Sequence, residues 1–476
     1  MSEVFVQSLI NYMPRKKKFK LTREHKRFLR DLFPDDSSLF EPEKTWIYGT
    51  DSSRIFVPPL AVVRPESVEQ VKEFLAWADR EKIPVFSRAR GTNVVGACVP
   101  ETRGIVVSSL KMNRVLEIDQ DDFTAVVEPG VVTADLQATV RSRGLYYPPD
   151  PASVKISTIG GNVSTNAGGL RAVKYGVTKD YVLGLEAVLP GGELISTGGK
   201  VYKDVVGLDL TSLLVGSEGT LAFYTKIVLK LLSLPETSAS VLVGFRGLES
   251  LMHAANSVFK SGLTPVAMEF LDQNTIFCLQ KAGAFPFAEN IKSMLLLQFE
   301  GSEDNVNADL HGLNKMSNEW DYQTFDIAGT EEQESELWEI RRQINPASFR
   351  MGPDKISVDV SVPRGKLQKA LHKIRVIGEE FGLYVLNFGH LGDGNIHVNV
   401  MYDSGDKSQN EAAGKLIEQV LLEILELGGS ISGEHGVGLV KRPYLSRQLG
   451  KRERGLMQGI KQVFDPGNIM NPYKAF

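Results

Sequence analysis

Residues able to do chemistry concentrate toward the C-terminal end of this 476-residue chain. Three of its seven histidines, His390, His397 and His435, fall within 46 residues and accompany Glu434, whereas residues 26–252 hold none. The first two sit in Asn387-Phe388-Gly389-His390-Leu391-Gly392-Asp393-Gly394-Asn395-Ile396-His397-Val398-Asn399. On one helix a separation of seven residues is about 10.5 Å of rise, too far for both to reach one ion. On an unbroken strand the odd offset would send them to opposite faces. The Gly392-Asp393-Gly394-Asn395 turn signal removes the conflict, letting His390 at a strand end fold back toward His397, which shares a face with Asn399. Gly433-Glu434-His435-Gly436 then adds a carboxylate and an imidazole on a glycine-flanked loop. Two histidines and a carboxylate form a divalent-metal shell with open positions, suited to Zn²⁺, Mn²⁺ or Fe²⁺. Any one of these histidines taken alone reads equally well as a satisfied core residue. Upstream, Trp338-Glu339-Ile340-Arg341-Arg342 offers a planar guanidinium fork suited to a substrate carboxylate, or else an exposed helix face.

A second chemical theme is glycine. Lys155–Thr220 carries 13 Gly in 66 residues, against about 7% in average proteins, yet stays apolar enough to be ordered. Such density means backbone brought close to a ligand or held at positive φ. Pro84–Asn93 runs from a strand into Arg88-Ala89-Arg90-Gly91-Thr92-Asn93, a loop whose N–H groups and arginines suit a diphosphate. Ser157–Gly169 interleaves hydroxyls and amides with Gly pairs, a surface able to lie against a planar ring and diphosphate. Leu213–Leu221 sets Gly216-Ser217-Glu218-Gly219 between apolar runs. No Gly-x-Gly-x-x-Gly follows a strand and no Walker A run occurs, so a Rossmann nicotinamide site has no support.

The elements that must position these groups read as two α+β regions. Strands are expected at 60–64, 83–86, 106–110 and 125–127, with helices at 68–78, opened by Ser67 and Gln70 as a capping box, and at 133–143. Past Leu234-Pro235-Glu236, strands at 240–245 and 294–299 alternate with helices at 249–260 and 366–380. The expected organisation is a basic helical N-terminal arm at 1–44, a cofactor domain at 45–235, a substrate (cap) domain at 236–450, and a C-terminal segment, 451–476, returning to the cofactor domain. The first thirty residues carry nine Lys/Arg against two Glu, a net of +7, read as a solvated arm or a docking patch for an acidic partner or membrane surface. The whole chain has a formal net charge of −4, which gives no general case for nucleic-acid binding. No apolar run spans a membrane and no secretory signal opens the chain, so cytoplasmic residence is expected, with peripheral membrane attachment left open. Two cysteines, Cys98 and Cys278, cannot supply an iron–sulfur cluster.

The three glycine-rich segments resemble the flavin domain of the vanillyl-alcohol oxidase/p-cresol methylhydroxylase superfamily. Residues 45–476 resemble its glycolate oxidase catalytic-subunit and FAD-linked D-lactate dehydrogenase branch, a neighbour of D-2-hydroxyglutarate dehydrogenase. The resemblance implies an α+β fold: a two-part FAD-binding domain of the p-cresol methylhydroxylase type plus an α+β cap domain with an antiparallel sheet. It implies FAD contacts at Arg88, Arg90, Gly91, Thr92, Asn93, Gly96, Pro149, Thr158, Gly161, Asn162, Ser164, Asn166, Gly168, Gly169, Tyr175, Gly176 and Glu218. The family loop usually has Gly where this chain has Ala89 and Arg90. A histidyl flavin link from the flavin domain is excluded, since residues 26–252 hold no His, and the expected FAD is non-covalent. The same resemblance makes His390, His397 and Glu434 metal ligands, His435 the general base, Asn399 a site residue, and Arg341 the substrate-carboxylate ligand in preference to Arg342. The implied reaction is oxidation of a small 2-hydroxy acid, D-lactate or glycolate, with hydride passing to flavin N5. Electrons then leave to an electron-transfer flavoprotein, an iron–sulfur subunit or a quinone; a homodimer stays open. The register of basic residues in Lys355–Val362 favours a monocarboxylic acid over 2-hydroxyglutarate. Rival readings are a D-2-hydroxyglutarate dehydrogenase-like enzyme, an oxidase or alkyl-transfer flavoenzyme, and a flavin-free ligand-binding protein with a structural metal.

Overall fold

The computed structural model describes residues 19–283 and 287–475. Arg15, Lys16, Lys17 and Lys18 of the basic N-terminal cluster lie outside the described residues. Among those described, the chain forms two compact units: one of residues 170–176 and 235–433, the other of 19–169, 177–234 and 434–475.

The second of these units holds two main sheets. A mixed sheet orders Ser38–Leu39, Ala61–Val63, Ile105–Ser108 and Val85–Arg88, the last three strands parallel. An antiparallel sheet orders Val115–Asp119, Thr124–Val127, Phe223–Lys230, Val182–Val188 and Leu194–Gly198. The helix Val68–Arg80 begins where Ser67 Oγ accepts the Gln70 N–H at 3.3 Å. The return bond of the expected capping box is displaced by one residue: Gln70 Oε1 accepts from Glu66 N–H at 2.8 Å. This helix buries Val71, Phe74, Leu75, Trp77 and Ala78 in a core shared with Ile105 and Val107 of one sheet and Val188 and Phe223 of the other. The helix Arg23–Leu32 is no merely solvated arm. Leu29 joins that same core, as does Phe33 just beyond the helix, while Arg23, Arg27 and Arg30 stay exposed.

The C-terminal residues belong to this unit as well. Val85 N–H donates to Ile469 O and Asn471 N–H to Val85 O, both at 2.8 Å, extending the parallel strands. Buried Asp465 holds the turn before them by accepting Ile469 and Met470 N–H. Residues 434–450, assigned from sequence to the cap region, fold here instead. Leu439 and Val440 donate to Val95 O, and Glu218 accepts Val437 and Gly438 N–H.

The other unit is built on a seven-stranded, fully antiparallel sheet. Its order is Tyr322–Ala328, Thr237–Phe245, Ser293–Gly301, Ala267–Leu271, Tyr384–His390, Asn395–Tyr402, Asp354–Ser361. Period-two alternation sends Leu242, Leu271, Met294, Leu296, Leu386, Phe388 and Met401 to one face, where they pack with Ile276 and Leu279 of one helix and Trp338, Ile340 and Ile344 of another, Glu331–Ser348. The alternate residues Val241, Val243, Leu295 and Leu297 are equally buried. Helices Leu248–Ser261, Glu303–Ser317, Leu367–Phe381 and Lys407–Glu426 complete the unit. Among the described residues, no helix is long and apolar enough to cross a membrane.

Phe74 is fully buried at the centre of the core between the two sheets. Phe74→Ala is expected to cost about 3–5 kcal/mol of stability in urea unfolding. Val205→Ala, at a side chain 88% exposed, is expected to stay within about 0.5 kcal/mol of the parent.

Candidate functional site

The glycine-rich segments converge on one cavity, and every residue lining it belongs to the unit containing both smaller sheets. The strand Val85–Arg88 delivers the loop 89–97 to its wall, and the helix Ile159–Thr165 brings the glycine pair Gly160-Gly161. Of the expected flavin contacts, Arg88, Arg90, Gly91, Thr92, Asn93, Thr158, Gly161, Asn162, Ser164, Gly168 and Glu218 line it. His435 and Glu434 also line it. Asn93 ties the loop to the C-terminal segment, its Oδ1 accepting Val95 N–H at 2.9 Å and its Nδ2 donating to His435 O at 2.9 Å.

Arg88 does not reach outward from the loop. Its guanidinium lies buried beneath, donating to Thr50 O at 2.5 Å and Cys98 Sγ at 3.3 Å. Gly91 lies above it at φ +71°, a left-handed conformation that favours glycine, and a Cβ there would push against the Arg88 guanidinium. Arg90 is the exposed cation of the wall.

The other six expected contacts do not line the cavity. Gly96 turns the loop at φ +76°. Pro149 O accepts from Gln137. Asn166 ends its helix in a left-handed conformation and accepts Lys179 N–H through Oδ1. Gly169 is needed for packing, since a Cβ would lie 2.4 Å from Asp150 O. Tyr175 and Gly176 belong to the other unit.

The chemistry of the lining suits a dinucleotide cofactor. Glycines leave main chain open at 91, 160, 161, 168 and 219. Ser87 Oγ and Ser157 Oγ are buried at the cavity wall with no hydrogen-bond partner among the described residues, an arrangement that calls for a ligand acceptor or donor. Neither serine was among the expected flavin contacts, although both lie within segments that were singled out. Glu218, held at φ +52°, is buried, and that burial raises its pKa while the Val437 and Gly438 amides oppose the rise.

The second cluster lies on one face of the seven-stranded sheet. The turn at Leu391–Asp393 reverses the chain as its glycines suggested, so the strand ending at His390 pairs with the one carrying His397. Their Nε2 atoms stand 3.4 Å apart, with the rings edge to face. Asn399 shares the face and its Oδ1 accepts from Ser357 Oγ at 2.6 Å. Helix Glu331–Ser348 lies over it, fastened by Glu334, which accepts from Ser238, Ser240 and Gln298, and by Trp338 Nε1 donating to Ser240 Oγ. Residues 334, 338, 341 and 345 fall on one helical face, so this fastening aims Arg341 at the sheet. Arg342 is exposed and bonds Glu339 and Ser335 O of its own helix.

Sequence reasoning missed the residue at the centre. Glu269, fully buried, receives Arg341 Nε at 2.8 Å and meets His390 Nδ1 at 2.5 Å. Burial alone would raise its pKa, but His390 and Arg341 together bring it down to about 2. Its signal was a lone carboxylate in the apolar strand Ala267-Met268-Glu269-Phe270-Leu271. Asp359 was also missed; it is fully buried and accepts Gly433 N–H at 2.7 Å, the residue before Glu434.

The donor set suits a divalent cation. A carboxylate on Nδ1 assigns that nitrogen the proton and leaves the His390 Nε2 lone pair facing His397. Two nitrogens each about 2.05 Å from a tetrahedral ion stand about 3.4 Å apart, which matches the observed 3.4 Å. Glu434 begins the other unit, directly after Gly433 in the chain.

Cys98 lines the cavity, and burial followed by Asp51 pushes its thiol up to about 11; burial does the same for Cys278. Relative to an ordinary thiol, the thiolate fraction at pH 8 falls about 100-fold. Native protein is expected to give almost no reaction with a thiol-labelling disulfide reagent at pH 8, and two equivalents after unfolding. Rapid native labelling of one cysteine would contradict this.

Comparison with known proteins completes the description. Residues 234–475 match the family "FAD linked oxidases, C-terminal domain", and residues 59–198 match "FAD binding domain". The chain is 39% identical over 418 residues to glycolate oxidase subunit GlcD of Bacillus subtilis (strain 168), covering 88% of this chain and 89% of that one. It is 34% identical to D-2-hydroxyglutarate dehydrogenase of Stutzerimonas stutzeri (strain A1501), covering 94% and 98%, and 33% identical to D-lactate dehydrogenase of Anaerostipes hadrus, covering 87% and 89%. The solved structure of p-cresol methylhydroxylase with substrate bound superposes with a TM-score of 0.79 at 18% identity, over 95% of this chain and 97% of that one. Its likeness bears out the expected fold.

Proposed function

The chain belongs to the FAD-linked oxidase family, and from that premise we propose that it oxidises a small 2-hydroxy acid, D-lactate or glycolate, to the 2-oxo acid. That it is an FAD-linked oxidoreductase of the glycolate oxidase, D-lactate and D-2-hydroxyglutarate dehydrogenase group follows from the family itself. The observation that carries the finer reading is the buried Glu269 carboxylate holding both Arg341 and His390 on one sheet face. An arginine beside a histidine pair suits a substrate bearing a carboxylate next to a hydroxyl.

When bound in the glycine-lined cavity, non-covalent FAD would supply the two-electron acceptor. Gly91, Thr92, Asn93, Thr158, Gly161 and Ser164 would meet it through main chain and hydroxyls, with Arg90 toward its diphosphate. Arg341 is held through Nε, and its two Nη groups make no hydrogen bond among the described residues, leaving a flat edge for the substrate carboxylate. Asn399 would fix the substrate from the neighbouring strand. His390 and His397, with Glu434 carried over from the family resemblance, would hold a divalent cation, which supplies Lewis-acid lowering of a hydroxyl pKa. His435, also carried over, would take the hydroxyl proton on its imidazole. Electrons then pass to a separate electron-transfer flavoprotein, iron–sulfur subunit or quinone.

One observation favours the D-2-hydroxyglutarate reading as a second. Lys355 Nζ bonds Asn345 Oδ1, on the helix face that carries Arg341. A second cation there would suit a second carboxylate, against the expectation drawn from sequence register.

Turnover with an artificial dye acceptor, run across D-lactate, L-lactate, glycolate and D-2-hydroxyglutarate, separates these readings. The expected result is one preferred acid, with the D isomer of lactate preferred over the L. Arg341→Lys should raise KM for the preferred acid about 10–100-fold, the loss of a charged bidentate bond, with a smaller change in kcat. Lys355→Met should leave lactate and glycolate turnover nearly unchanged, and raise KM only if the dicarboxylate is the substrate. A flavin-loaded protein inert to all four acids would overturn the substrate class.

A further inference from the structure

We propose that Glu269 is the positioning residue of this site: one buried carboxylate that sets the substrate-binding arginine and the metal-facing histidine together. The inference rests on the 2-hydroxy-acid reading and goes further, assigning a role to a residue that neither the motifs nor the family resemblance singled out.

The geometry is specific. Glu269 sits within the central strand Ala267–Leu271, flanked on the sheet by Ser293–Gly301 and Tyr384–His390, and is directly opposite His390 in register. Each of its oxygens has a different task. Oε2 accepts from Arg341 Nε and Oε1 meets His390 Nδ1. Phe388, two residues before His390 on the same face, lies under the guanidinium at 4.6 Å and limits its swing. A carboxylate with zero exposure in an otherwise apolar strand is costly unless fully paired. Here both pairings are with groups the reaction needs.

Two consequences follow. Glu269 pairs with Arg341 through Nε alone, so the two Nη groups, which make no hydrogen bond among the described residues, remain for a ligand. Engagement of His390 Nδ1 fixes its tautomer, so Nε2 offers a lone pair toward His397 Nε2 at 3.4 Å. At that distance His397 Nε2–H can donate to this lone pair, and a divalent cation would take the place of that proton. Glu269 therefore links carboxylate recognition to cation binding through one side chain, and neither partner can be repositioned without the other.

The test uses the full-length FAD-loaded protein, stripped of metal by chelation and titrated with Mn²⁺ alone, beside steady-state kinetics of the metal-replete protein. Glu269→Gln is expected to keep its FAD, since the cavity lies in the other unit. It is expected to weaken Mn²⁺ binding about 10–100-fold, the usual scale for losing a carboxylate behind a ligating histidine, and to raise KM for the preferred acid at least tenfold. Because the residue acts through Arg341, the double variant E269Q/R341M should show the same KM as R341M alone, whereas a general structural role would make the two losses add. If E269Q yields no flavin-loaded protein, E269D decides, keeping the charge but shortening the reach, so at least one of the two affinities must fall. A variant with both the Mn²⁺ affinity and the KM of wild type overturns the inference. A wild-type protein that neither binds Mn²⁺ nor oxidises any of the acids would instead overturn the functional reading.

Discussion

A carboxylate buried without water must be paired, and in this protein that constraint organises the chemistry. Glu269 is fully enclosed, and its low pKa exists only because Arg341 and His390 both face it. The three residues come from two strands and a helix, far apart in the chain. The Trp338–Ser240 and Glu334 bonds that fasten the helix, and the turn at Leu391–Asp393 that returns the chain, are needed to bring them together. The turn is a local decision of sequence, whereas the helix bonds join residues 94 and 98 positions apart. Their joint result is a guanidinium edge and a histidine pair on one face of an antiparallel sheet.

The cofactor unit follows a different logic, in which side chains are withheld. Gly91 leaves room for Arg88 beneath the loop, and Gly160 approaches the Pro129 backbone too closely for any Cβ. What remains at the cavity is open main chain, short hydroxyls and one exposed arginine. Asn93 and Glu218 then bind the loop bearing His435 through its backbone atoms, so main-chain bonds tie the proposed base to the cofactor cavity.

Much of this was legible in the sequence because it rests on local rules. The His390–His397 turn follows from glycine placement, and the Val68–Arg80 helix from apolar spacing and the Ser67 cap. The two-region α+β architecture followed from the same patterns joined to the family resemblance. What escaped depends on non-local packing. Glu269 carries no motif, because its meaning lies in residues 72 and 121 positions away. Arg88 was expected among the diphosphate contacts; it does line the cavity, but with its guanidinium held beneath the loop by Thr50 and Cys98, partners the sequence did not show. Leu29 and Phe33 looked like part of a charged arm until a core was available to bury them. Residues 434–450, expected with the cap, group with the cofactor unit, and no composition change marks Gly433.

The most direct test of the account is a single anaerobic mixing of the purified yellow protein with the preferred 2-hydroxy acid, in protiated form and deuterated at C2, following the flavin absorbance. One rapid bleaching of the flavin per active site is expected, slowed by deuterium at C2, because removal of that hydrogen is the redox step for which the site is built. Flavin that stays oxidised with every 2-hydroxy acid, in protein that has retained its FAD and its metal, would contradict it.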